Sequence, residues 1–205
     1  MIKIIIETLI FIIITLLIVS AFNKYDTEVN LAFTKKDVIL ISITSFFSSL
    51  IITSKYENIG SENTVVILIT LITLIMSYTD LKTMQVYTIL DMIAILISGI
   101  YTICNIDKVN SFINIYPNSI VIIVSIIILA VLIMSQGIGH GDSMLYISML
   151  LFYITRTEHG SLLFMVNLLI SNLLFLIVNS TKFIKNKKQK LPLVPYILLA
   201  WLFTC

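Results

Sequence analysis

The stretch SIVIIVSIIILAVLIMSQGIGHGD, residues 119–142, runs without a charge from Ser119 to Gln136 and then delivers an aspartate behind three glycines. As a helix the uncharged part is about 27 Å long, close to the roughly 30 Å hydrocarbon core of a bilayer. A carboxylate in mid-membrane costs about 2.5–3.5 kcal/mol even on insertion scales, so Asp142 is a functional-site candidate on cost alone. Gly137, Gly139 and Gly141 let the backbone approach closely and adopt positive φ, so a water-filled, non-helical pocket is expected beside the carboxylate. A second aspartate, Asp80, closes another apolar run, Val65 to Thr79. It is the natural partner if the two meet on one side of one membrane.

Composition sets the solvent. Of 205 residues, 59% are hydrophobic and 12% charged, against about 25% charged in a soluble domain. The apolar runs are continuous and rich in Ile and Leu, without the period-2 alternation of a membrane barrel, which predicts an all-α polytopic membrane protein. The net charge of +2 gives no reason to expect a nucleic-acid partner; the expected surroundings are a lipid bilayer. Cys104 and Cys205 stand alone and no CxxC occurs, so neither a metal site nor a disulfide is expected.

Eight spans are predicted in one domain covering residues 1–205: Ile4–Phe22, Val38–Thr53, Thr64–Thr79, Val86–Cys104, Ser119–Gln136, Met144–Thr155, Ser161–Asn179, and Leu191 onward. Lys24, Lys35, Lys36, Lys82 and the five lysines from Lys182 to Lys190 fall in alternate loops. Lys3, Lys55, Lys108 and Arg156 fall on the other side. Nine cations against four put the first set in the cytoplasm and both termini outside. Reading the first span as a cleaved signal peptide, with Lys3 as its basic start and Ser20-Ala21 as small residues, would reverse that bias. The eight-span topology places Asp80 and Asp142 at the same cytoplasmic face.

Two carboxylates that share a site cannot both ionise easily, so the pair titrates as a unit with one proton between them. Such a pair can activate water and protonate a carbonyl oxygen, which is aspartic proteolysis. Buried carboxylates also serve as proton or cation relays in transporters. A third reading is two interfacial aspartates at helix ends with no chemistry.

Asp80-Leu81-Lys82-Thr83 before a span, and Gly139-His140-Gly141-Asp142 opening a later one, resemble the GxGD membrane aspartyl proteases. Within these the chain resembles the type IV prepilin peptidase family, which includes preflagellin peptidases. Two spans separate the aspartates, Ser143-Met144-Leu145 looks like the start of a new helix, and Leu191-Pro192-Leu193-Val194-Pro195-Tyr196 resembles the family's proline-bracketed approach to its last span. The Pro-Ala-Leu motif of the presenilin-like branch is absent. The resemblance covers about residues 64–205. It implies that Asp80 and Asp142 are the catalytic pair, that Gly139 and Gly141 keep the adjacent backbone close and open, and that the substrate is a prepilin-like precursor with a short basic leader. Cleavage would fall at the cytoplasmic face of a prokaryotic plasma membrane, without metal or organic cofactor. Val86-Tyr87-Thr88 stands where the family usually carries Ile-Pro-Asn or Ile-Pro-Asp. Residues 23–37 lack the cysteine-rich zinc loop that the family associates with N-methylation from S-adenosylmethionine, so methyltransferase activity is not expected. A carboxylate-dependent transporter is the runner-up, and an inactive family member the third reading.

Several neighbours have plainer readings. Asp91, eleven residues after Asp80, is expected to cap a helix. Lys82 marks the cytoplasmic side or lowers the pKa of Asp80, and His140 is a loop residue that tunes the dyad or meets substrate. His159 belongs to an external turn. The lysines from 182 to 190 anchor the chain on anionic lipid, while Asp26, Glu28 and Asp37 are candidates for attracting a basic leader.

Overall fold

Runs of Ile, Leu and Val in a solvent without hydrogen-bond partners leave the backbone one economical choice, the helix. The computed structural model describes residues 2–25, 34–55, 61–84, 87–114, 116–134, 139–156, 159–185 and 191–205. Every element among them is an α-helix: α1 (Ile2–Tyr25), α2 (Lys35–Lys55), α3 (Ser61–Thr83), α4 (Thr88–Cys104), α5 (Ile106–Asn114), α6 (Tyr116–Met134), α7 (His140–Tyr153), α8 (Gly160–Lys185) and α9 (Val194–Thr204). Over its described residues each expected span overlaps one of these helices. The expected loop 105–118 instead contains α5, which bends away from α4 by 81°. The bend has a local cause: the Asn105 side chain donates to the Tyr101 carbonyl at 2.9 Å and its backbone leaves helical geometry at φ −117°, ψ 34°.

Among the described residues three helices, α2, α3 and α8, are long and apolar enough to cross a membrane, and a fourth crossing follows if the bent α4–α5 pair is one span. Shorter apolar helices lie within α1, α6 and α9. Large apolar side chains such as Leu17, Met92, Ile103, Met134 and Phe203 face outward, an exposure that lipid accepts and water does not.

The centre of the bundle is α3, whose residues 69–80 are all buried. It packs against α9, α4, α2 and α1. Buried hydroxyls along it turn back on their own helix, Thr70 to the Val66 carbonyl and Thr73 to that of Ile69, both at 2.7 Å, which satisfies donors where no water is at hand. Trp201 of α9 donates its indole N–H to Thr70 Oγ1 at 2.8 Å. The same indole meets Phe152 and Tyr153 of α7 edge-on, each at 5.4 Å between ring centroids.

The bundle has two distinct ends. At one, Lys82 near the close of α3 pairs with Asp37 at the start of α2. At the other, Lys55 donates to the carbonyls of Leu202, Phe203 and Cys205 at 2.9–3.0 Å, and Arg156 joins Glu62 at 3.2 Å to the Thr204 carbonyl at 3.1 Å. Cations at a helix C-terminus meet the negative end of its dipole. Gly160 opens α8 in contact with the end of α7: a Cβ there would lie 2.0 Å from the Tyr153 carbonyl oxygen.

Candidate functional site

Asp80 lies one turn before the end of α3 and is 6% exposed. α3 stops just beyond it because Met84 turns into the left-handed region, φ 55°, and its N–H caps the Asp80 carbonyl at 2.9 Å, a left-handed helix stop. The side chain looks the other way, to the start of α9. Pro192 and Pro195 have no N–H, so of residues 192–195 only Leu193 and Val194 can donate. The Val194 N–H reaches Asp80 Oδ2 at 3.0 Å, and the Leu193 N–H also acts on this carboxylate. A carboxylate is favoured there both by unpaired first-turn donors and by the helix dipole.

Asp142 occupies the third position of α7, and its Oδ2 accepts the Gly139 N–H at 3.2 Å. Its Oδ1 is buried and has no hydrogen-bond partner among the described residues. Each aspartate is thus seated on the first turn of a helix, α9 for Asp80 and α7 for Asp142. Asp80 lies near enough to act electrostatically on Asp142.

Gly139 serves by closeness, not by unusual backbone. Its φ is −67° and ψ 160°, and no described glycine has positive φ, contrary to the expectation for this motif. A Cβ on Gly139 would stand 3.0 Å from Asp142 Oδ2, close enough to push the carboxylate from its place over the helix start, so the glycine lets it fold back undisturbed. Gly141 lies within the first turn of α7, half-buried. Gly137, Ile138, Gln85 and Val86 lie outside the described residues, as do Asp26, Glu28, Lys187, Lys188 and Lys190.

The expected neighbours separate. Lys82 pairs with Asp37 and stands over the Tyr78 ring at 5.7 Å; the ion pair engages both charges, which weakens Asp37 as an attractor for a basic leader. Asp37 is held further by the Thr34 N–H and hydroxyl, both at 2.7 Å. His140 is exposed at the first position of α7, and its carbonyl accepts the Ser143 hydroxyl at 2.6 Å.

Asp91 corrects the capping expectation. The cap position of α4 is Tyr87, with no side-chain cap, and Asp91 is the fourth residue of the helix, at the end of its first turn and 3% exposed. Its Oδ1 is buried without a partner, and Asp142 acts on it electrostatically. Tyr146, one turn past Asp142 and wholly buried, was also silent in the sequence. Its hydroxyl meets Ser171 Oγ at 2.6 Å and accepts from Asn172 Nδ2 at 3.2 Å. A buried tyrosine in an apolar helix reads as packing until its partners are known.

Comparison with protein-family models, with curated proteins and with solved structures finds no significant match. The site is therefore read on its geometry: two seated carboxylates in electrostatic reach of each other, one with an oxygen left open.

Proposed function

We propose that this chain is a membrane-embedded aspartyl endopeptidase that removes the basic leader from type IV prepilin-like precursors at the cytoplasmic face of a prokaryotic plasma membrane. The observation that carries the reading is the open Oδ1 of Asp142, in electrostatic reach of a second carboxylate whose own oxygen is held by the Val194 N–H. In this reading α1, α2, α3, α4, α6, α7, α8 and α9 are the eight crossings and both termini lie outside. Asp80 and Asp142 hold one proton between them. The ionised carboxylate takes a proton from water as its oxygen attacks the scissile carbonyl carbon, and the carboxylic acid gives its proton to the carbonyl oxygen. Collapse of the diol returns that hydroxyl proton to one carboxylate, breaks the C–N bond and passes a proton to the leaving amine. No cofactor enters this scheme.

The test is co-expression with a candidate prepilin from the same genome, following precursor size on a gel. Wild type should shorten the precursor, whereas Asp80→Asn and Asp142→Asn, present in membranes at equal levels, should not. Cleavage that survives either substitution refutes the dyad.

A second reading, a proton- or cation-coupled transporter, draws on a line of buried polar groups running away from Asp142. Tyr146 leads to Ser171, which donates to the Asn167 carbonyl at 2.7 Å. Asn167 Nδ2 reaches Thr204 Oγ1 at 3.2 Å, and that hydroxyl meets Tyr153 at 2.6 Å. Arg156 and Glu62 lie beyond. Hydrogen bonds between membrane helices also serve simply as packing. Ion flux into vesicles reconstituted with the protein alone, abolished by Asp142→Asn, would favour this reading over the peptidase.

A further inference from the structure

We propose that Asp91 is a third member of the carboxyl cluster, sharing protons with Asp142 across the α4–α7 contact and thereby setting the charge that the Asp80/Asp142 pair carries. This rests on that pair being the working centre and deepens it. Four observations converge on Asp91. It is 3% exposed, inside an apolar helix between the buried Leu90 and Ala94. Its Oδ1 has no hydrogen-bond partner among the described residues, whereas Asp80 and Asp142 each take a backbone N–H. α4 packs closely against α7, and Thr102 fixes that contact by donating to the Leu151 carbonyl at 2.9 Å. One oxygen of each of Asp91 and Asp142 is buried without a protein donor, and Asp142 is relieved only at its other oxygen by the Gly139 N–H, so a proton held by one carboxyl changes the field at the other.

The other ionisable groups on the helices packed around α4 are few. α7 brings Asp142, Tyr146, Tyr153 near its end and, exposed at its start, His140; α3 brings Tyr78, Asp80, Lys82, which pairs with Asp37, and at its opposite end Glu62, which pairs with Arg156. α5 brings Asp107 and Lys108 at the opposite end of α4. Asp142 is the charged group that acts on Asp91. Asp91 is therefore a positioning residue for charge: it acts through Asp142 and need not touch the substrate. Three carboxyls that cannot all ionise together distribute their protons according to which have hydrogen-bond donors, and Asp91 has the poorest supply.

The coupling can be read without any substrate. Dicyclohexylcarbodiimide couples to protonated carboxyls in apolar surroundings, and peptide mapping by mass spectrometry locates the adduct. The full-length protein in detergent would be labelled across a pH series as wild type, Asp142→Asn and Asp91→Asn, with Glu62→Gln at the far end as control. Asp91 should label in wild type, and its midpoint should fall by about one pH unit in Asp142→Asn, the scale of coupled carboxyls. The reciprocal shift should appear at Asp142 in Asp91→Asn, because coupling is mutual. Glu62→Gln should leave both curves in place. Absence of Asp91 labelling at every pH, or midpoints unmoved in both Asp variants, overturns the proposal; the reciprocal pair guards against one variant misfolding. Because no cleavage is measured, failure of the peptidase reading shows separately, as an uncut precursor.

Discussion

The carboxylate of Asp80 accepts the backbone N–H of Val194 at 3.0 Å across 114 residues of sequence, so the end of α3 and the start of α9 are joined at the candidate site by a single side chain. The bond serves both partners. It gives the carboxylate a charge-favouring donor, and it satisfies a first-turn N–H of α9 that would otherwise be buried unpaired.

That double service separates two substitutions at one position. Asp80→Asn keeps an acceptor oxygen for Val194 and should retain the melting temperature of the detergent-solubilised protein while abolishing cleavage. Asp80→Ala leaves the Val194 N–H orphaned, at a cost of about 1–3 kcal/mol, and should lower the melting temperature as well. Thermal unfolding followed by Trp201 fluorescence distinguishes them. Equal melting temperatures for the two variants would mean that Asp80 does not hold α9.

Gly139→Ala should act on chemistry more than on stability. The added Cβ, 3.0 Å from Asp142 Oδ2, displaces that carboxylate, and its φ of −67° suits alanine, so α7 still forms. A displaced catalytic group costs about ten- to a hundredfold in rate. Cleavage should fall by that much with only a small loss of thermal stability; unchanged cleavage would show that the close glycine contact is dispensable.

Lys82 and Asp37 should prove structural. Both are partly shielded, with side chains 28% and 11% exposed, so breaking the pair should cost about 1 kcal/mol and, as a double-mutant cycle, show coupling of similar size. Lys82→Met should lower stability while leaving precursor cleavage near wild type. A large loss of cleavage at full stability would instead bring Lys82 into the chemistry.

Lys55 holds the last turn of α9 by three carbonyls. Lys55→Met should free that turn and raise the reactivity of the buried Cys205 toward a small maleimide, with the exposed Cys104 as internal reference. Cys205 labelling that stays slow relative to Cys104 would show that the Trp201 and Thr204 contacts hold α9 unaided.

The two aspartates of the candidate pair were legible in the sequence, because a carboxylate at the edge of an apolar run is costly wherever the chain later folds. Asp91 carried the same cost, yet the capping rule favoured a local explanation; capping depends on where a helix starts, and α4 starts at Thr88 with Tyr87 as its cap. The positive φ expected of the glycines was likewise a local inference. In the fold, Gly139 matters for the space it leaves beside Asp142.

The sequence by itself determined that the chain is helical and lipid-compatible and that Asp80 and Asp142 are exceptional, since hydrocarbon solvent constrains each backbone group and each charge individually. Only the tertiary structure decided what those charges touch. Val194 reaches Asp80, Lys82 turns to Asp37, and Asp91 stands on a helix packed against that of Asp142, because each relationship depends on which helices pack side by side.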